Sequence, residues 1–165
     1  MKKKIFLEFL IFFFIFSGCA YKPVYKKDSF FSHKINILVK SNDYDKKIPL
    51  LMRASLNRKL NSKNSKASNL KLIVSLSKSI SGLAYNKDLY SSGKILLINL
   101  QYTFYDQKGI VLSGKLQNKS SYFMGGSPYA NLISEESAAK NIISSLSESL
   151  SHIIIASRFS KSIVP

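Results

Sequence analysis

Leu70-Lys71-Leu72-Ile73-Val74-Ser75-Leu76-Ser77-Lys78-Ser79-Ile80 decides the fold class. Leu70, Leu72, Val74, Leu76 and Ile80 share one face, and Lys71, Ser75, Ser77 and Ser79 share the other, with Ile73 the exception. Successive side chains of a strand point to opposite faces, so a period of two marks a strand with one face on a core and the other in water. Downstream, Leu96, Ile98, Leu100, Tyr102 and Phe104 repeat the pattern. Asp106-Gln107-Lys108-Gly109 supplies turn chemistry, and Ile110, Leu112 and Leu116 continue into a more polar strand, so this pair reads as an antiparallel hairpin. Ser81-Gly82 and Ser91-Ser92-Gly93 bracket a less regular piece that prolongs the strand or forms a bulged connection.

The period changes on either side of this block. Upstream, Ile35, Ile37 and Val39 alternate with polar Asn36 and Lys40 in a short first strand, and Ser41-Asn42-Asp43 reads as a turn. Pro49 suits the first turn of a helix, where its missing N–H costs nothing, and Ile48, Leu51, Met52, Leu56 and Leu60 form a helical stripe. At the other end Met124-Gly125-Gly126-Ser127-Pro128 breaks the strand pattern. Ser134 with Glu135 and Glu136 reads as a helix start, since acids are favoured at the positive end of the helix dipole. Ala139, Ile142, Ile143, Leu146, Leu150, Ile153 and Ile154 then make a long stripe, with Arg158 near its end. The predicted order is β-α-β-β-β-α. An α+β domain, with a mainly antiparallel four-stranded sheet and two helices on one face, buries both stripes most simply.

The whole chain has 165 residues, 45% of them apolar and 21% charged, which fits one folded domain and argues against global disorder. A single cysteine excludes an internal disulfide framework and multi-cysteine zinc sites. The net charge is +16, carried mostly by lysine; the arginines are Arg53, Arg58 and Arg158. The lysine excess has two readings. It is surface composition of the kind an AT-rich genome imposes, or it serves a polyanionic partner. Dedicated phosphate readers usually carry more arginine, whose guanidinium fork binds phosphate through two parallel bonds.

The N-terminus gives an address. Lys2, Lys3 and Lys4 precede an apolar run from Ile5 to Phe16 that is interrupted by Glu8. A spanning helix needs about 20 apolar residues, so the run fits the h-region of a secretory signal over residues 1–18, ending in small Ser17 and Gly18. Phe16-Ser17-Gly18-Cys19 resembles the bacterial lipobox, which implies cleavage between Gly18 and Cys19 and diacylglycerol attached to Cys19. Each buried methylene contributes roughly 0.8 kcal/mol, and more than one acyl chain anchors stably. Ala20 is compatible with export to the outer membrane within that class. Residues 19–33 then read as a lipidated tether, 34–160 as the single domain and 161–165 as a tail.

Catalytic chemistry finds few materials. His33 and His152 have no local ligand partner, and Glu135 and Glu136, adjacent on a helix, point about 100° apart, so capping explains them better than acid–base work. Gly125-Gly126 lacks the Gly-Lys-Ser/Thr ending of a phosphate loop, and no Gly-x-Ser-x-Gly elbow occurs. Neither a metal nor a cofactor is expected beyond the lipid on Cys19. Aromatics among lysines can stack bases, but an exported domain would meet lipid and sugar phosphates rather than nucleic acid. Lys71, Lys87, Lys94, Lys108, Lys115 and Lys119 fall in the sheet region and are the candidates for phosphate contact; otherwise they form a solvated face.

Two segments resemble one family. Cys19-Ala20-Tyr21-Lys22-Pro23-Val24-Tyr25 looks like the start of mature LptE, the lipopolysaccharide-assembly lipoprotein, in its alphaproteobacterial form. Ser127-Pro128-Tyr129-Ala130-Asn131-Leu132-Ile133-Ser134-Glu135-Glu136-Ser137-Ala138 is similar to the segment that opens that family's last helix, and Ile155-Ala156-Ser157-Arg158-Phe159 to its end. Ala20 stands where Gly is common and Ser137 where an acid is frequent. The resemblance implies a non-catalytic, lipid-anchored protein on the periplasmic side of the outer membrane. Such a protein plugs the LptD β-barrel and contacts lipopolysaccharide on its way to the outer leaflet. The alternative is an auxiliary lipoprotein of another envelope transporter, or a cell-wall-associated binding module.

Overall fold

The computed structural model describes residues 34–41, 46–61, 68–85, 91–125 and 127–163. The signal segment, Gly18, Cys19, the tether, His33 and Lys87 therefore lie outside the described residues. The elements run β1 (Asn36–Ser41), α1 (Lys47–Leu60), β2 (Lys71–Tyr85), β3 (Ser91–Asp106), β4 (Gly109–Phe123) and α2 (Pro128–Ile163). This is the expected α+β order. The sheet has the order β1-β2-β3-β4. β2, β3 and β4 pair antiparallel, and β1 pairs parallel to β2 through α1 as crossover, in the register Asn36↔Lys71 to Ser41↔Leu76.

The alternation seen in sequence becomes two faces. Ile35 and Ile37, then Leu72, Val74 and Leu76, then Leu96, Ile98, Leu100, Tyr102 and Phe104 are all buried in one core with Ile48, Met52, Leu56 and Leu60 of α1 and Ala139, Ile142, Ile143, Leu146, Leu150 and Ile154 of α2. Both helices thus cover the same sheet face, and among the described residues no helix packs on the other, open face. Burying one Leu or Ile side chain is worth roughly 1.5–3 kcal/mol, so this single layer supplies most of the driving force.

Several boundaries differ from the sequence expectation. The doubtful piece around Gly82 prolongs β2 to Tyr85, with a register shift between Gly82 and Ala84. Leu51 was expected in the core stripe but is 38% exposed; the buried face of α1 is Ile48, Met52, Leu56 and Leu60. α2 starts at Pro128 rather than Ser134, because Pro pre-sets the helical φ at a first position and lacks an N–H that would go unpaired there. Glu135 and Glu136 consequently sit beyond the first turn and do not cap the helix. The helix also continues past Arg158 to Ile163.

Two local devices hold the frame. In the β3–β4 turn the Lys108 N–H donates to Asp106 Oδ1 at 2.7 Å, and Gly109 takes φ +125, a region that only glycine enters without strain. Between the helices, Ser55 donates to Ser147 Oγ at 2.7 Å, and Ser147 passes its own proton to the Ser144 carbonyl at 2.9 Å. Ser151 likewise donates to the Ser147 carbonyl at 2.6 Å. Ser147 and Ser151 are buried, so their small side chains allow close helix packing while their hydroxyls remain bonded.

Candidate functional site

Strand register sorts the candidate lysines. Lys71 lies opposite Tyr105, Lys115 opposite Gln101 and Lys119 opposite Leu97. All three are exposed and fall on the open face. Lys40 of β1 joins them, since Lys40, Ser75, Gln101 and Lys115 form one row across the four strands. Sequence reasoning passed over Lys40, although the alternation of Ile35, Ile37 and Val39 already assigned it to the opposite face. Lys94 does not belong to this group. It pairs with Tyr122, whose side chain is buried on the helix-covered face, and is itself half-buried. Lys108 projects from the turn. Among the described residues the open face carries no carboxylate; the acids are Asp106 at the end of β3 and Glu135, Glu136 and Glu148 on α2.

The helix-covered face opens where α1 begins. β1 ends at Ser41, and beyond Leu76 the outgoing half of β2 is covered only in part. There a cleft of about 590 Å³ is lined by Ile48, Leu50 and Leu51 of α1, Lys78 of β2, and Leu132 and Ala139 of α2. Leu50 is 64% and Leu132 53% exposed. Charged pairs frame this apolar opening. Lys78 Nζ meets Glu135 Oε1 at 2.6 Å, and Lys47 Nζ meets Glu136 Oε1 at 2.6 Å. Because adjacent helical residues point about 100° apart, the two glutamates reach different elements and do not act as a carboxylate pair. The Tyr122 hydroxyl donates to Glu135 Oε2 at 3.2 Å. Burial, then the Glu135 charge and the bond donated to it, push this phenol up to about 12, so it stays a protonated donor at neutral pH.

Chemically, the cleft suits the apolar part of an amphiphile or a partner side chain, and the open face suits an anionic surface. Among the described residues no group of three or more His, Cys, Asp and Glu side chains could hold a metal ion. His152 is exposed on α2. No helix among the described residues is long and apolar enough to cross a membrane.

A mixed four-stranded sheet with one face under two helices is an architecture shared with bacterial lipoproteins. The chain superposes on rare lipoprotein B from Shewanella oneidensis with a TM-score of 0.57 at 13% identity, covering 77% of this chain and 98% of that one. A minor lipoprotein from Acinetobacter baumannii gives 0.57 at 16% identity, over 77% and 93% of the two chains. A Caulobacter crescentus structure described as a lipoprotein gives 0.56 at 15% identity, over 77% and 91%. At these identities the likeness establishes a common fold. In sequence, no family model and no curated protein matches the chain.

Proposed function

We propose that the chain is a non-catalytic lipoprotein, held on the periplasmic side of the outer membrane by lipid on Cys19 after cleavage behind Gly18. In this reading it partners and plugs an LptD-type β-barrel in the assembly of lipopolysaccharide into the outer leaflet. The observation that carries the reading is the open sheet face. Three strands of about 50 Å each present serine, threonine, asparagine, glutamine and lysine outward around half-buried Ile73, Ile95 and Leu97, without a carboxylate among the described residues. A rigid, largely polar and cationic slab of this kind fits the wet, polar interior of a barrel and the phosphates of a glycolipid. The motif likeness at both ends of the mature chain and the fold shared with rare lipoprotein B support the same assignment. Lys71, Lys115, Lys119 and Lys40 are the cations that would meet phosphate, and no cofactor is required beyond the lipid.

The test is an affinity pull-down of the tagged protein from its own envelope, with mass spectrometry of what accompanies it. A large β-barrel in stoichiometric amount is the expected result. An ATPase–permease set, or no barrel, would overturn the reading in favour of an auxiliary lipoprotein of another transporter or a cell-wall module.

A further inference from the structure

β1 is an edge of the sheet, and the ladder decides which of its backbone groups face outward. The Asn36 N–H donates to the Leu70 carbonyl at 2.9 Å, in the register Asn36↔Lys71. Alternate residues of a strand bond to the same neighbour in a parallel ladder. Asn36, Leu38 and Lys40 therefore address β2, and the N–H and C=O of Ile35, Ile37 and Val39 point away from the sheet.

At Ile35 the outward pair is already taken. The Asn61 side chain accepts from the Ile35 N–H at 2.8 Å and donates to the Ile35 carbonyl at 3.0 Å, while also donating to Asn57 Oδ1 at 2.9 Å. A side-chain amide held by both backbone groups of one residue makes the bonds that a peptide unit of a neighbouring strand would make. The next outward pairs, at Ile37 and Val39, continue this row; Ile37 is 3% exposed and lies at the floor of a cleft, and Val39 is half-buried. The cleft, of about 580 Å³, has a lining that includes Lys34, Ile37, Arg53, Asn57 and Asn61 and, among the described residues, no carboxylate. β1 contains no proline that would block pairing.

We propose that the outer edge of β1 docks an extended, acidic peptide segment of a partner protein, which adds to the sheet as a further strand. Backbone bonds to Ile37 and Val39 hold the segment, and Lys34 and Arg53 select its charge. A second copy of this chain fits poorly, because neither edge strand, β1 or β4, carries an acid. Two basic edges would then face each other. The inference is independent of how the open face is used.

The probes are two short fluorescein-labelled peptides, Thr-Val-Glu-Val-Glu-Val-Glu-Thr and the same sequence with lysine for glutamate, titrated into the full-length chain in detergent. Anisotropy reads binding, and residue-resolved amide exchange reads pairing. The acidic peptide is expected to bind and to slow exchange at Ile37 and Val39 by about tenfold or more, while the lysine peptide does not bind. Arg53→Glu, on the exposed side of α1, should weaken the acidic peptide by about tenfold. Val39→Pro, which removes an outward N–H and no ladder bond to β2, should abolish the protection at Ile37. Should Val39→Pro fail to fold, Arg53→Glu and the exchange pattern decide alone. Absence of binding, equal binding of both peptides, or binding without protection at Ile37 and Val39 would overturn the proposal.

Discussion

Tyr102 and Gly114 face each other across β3 and β4, and a Cβ built on Gly114 would lie 2.6 Å from the Tyr102 hydroxyl and 2.9 Å from its ring. The ring is buried and rigid, so it cannot yield by bending. Gly114→Val should therefore cost roughly 1–3 kcal/mol, as overpacking of a closed site does, measured as a lower urea midpoint at unchanged slope. In a Tyr102→Leu background the same substitution should cost much less; equal costs would mean that the strand itself rejects the side chain. Tyr122 yields a prediction of another kind. Its phenol titrates near 10 in the unfolded chain and at about 12 in the fold. The stability that depends on its proton is complete below pH 10 and falls as pH rises toward 12, because only the unfolded chain readily ionises there. Tyr122→Phe should flatten this alkaline limb, by on the order of 2 kcal/mol across the window; superimposable pH profiles for the two proteins would remove Glu135 and burial as the cause.

At the scale of elements, the long helix α2 holds the domain together, since it packs against α1 as well as β3 and β4. Leu146 is 2% exposed in its buried stripe. Leu146→Asp should abolish cooperative unfolding, because an unpaired charge cannot be buried there; a sharp thermal transition in the variant would mean that the stripe faces something other than the core. This stripe was legible in the sequence from its 3.6 period, as were the buried faces of β3 and of β2 as far as Leu76 from their period of two; Ile80, expected on the same face, is 42% exposed. The role of Ser147 and Ser151 was not legible, since a serine inside a helix reads the same whether it faces water or a neighbouring helix. Nor did periodicity reveal the start of α2. The acids at 135 and 136 imitate a first turn in sequence, whereas Lys47 and Lys78, which neutralise them across 89 and 57 residues, are brought close only by folding.

For the whole molecule, the distribution of charge separates two kinds of lysine. Lys71, Lys115 and Lys119 project from one open face, while Lys94 lies on the covered face and Lys108 in a turn. Replacing Lys71, Lys115 and Lys119 together by glutamine should leave the melting temperature within a few degrees. The same replacement should weaken binding to vesicles containing lipopolysaccharide, at about 1 kcal/mol per lysine. A loss from Lys108→Gln alone as large as one third of that, read by co-sedimentation, would show that the response follows net charge and not the face. Cys19→Ser should shift the protein out of the membrane fraction, and unchanged fractionation would defeat the anchor. Local sequence determined the strands, the helices and most of their buried sides, because each follows from the spacing of residues close together in the chain. Only the tertiary structure decided that β1 runs parallel to β2, that Lys71, Lys115 and Lys119 share a face, and that Asn61 closes one position of the β1 edge. It also decided that Leu50 and Leu132 open on a common cleft. Those facts depend on strand register and on contacts between residues far apart in sequence, and the pattern within a single element carries neither.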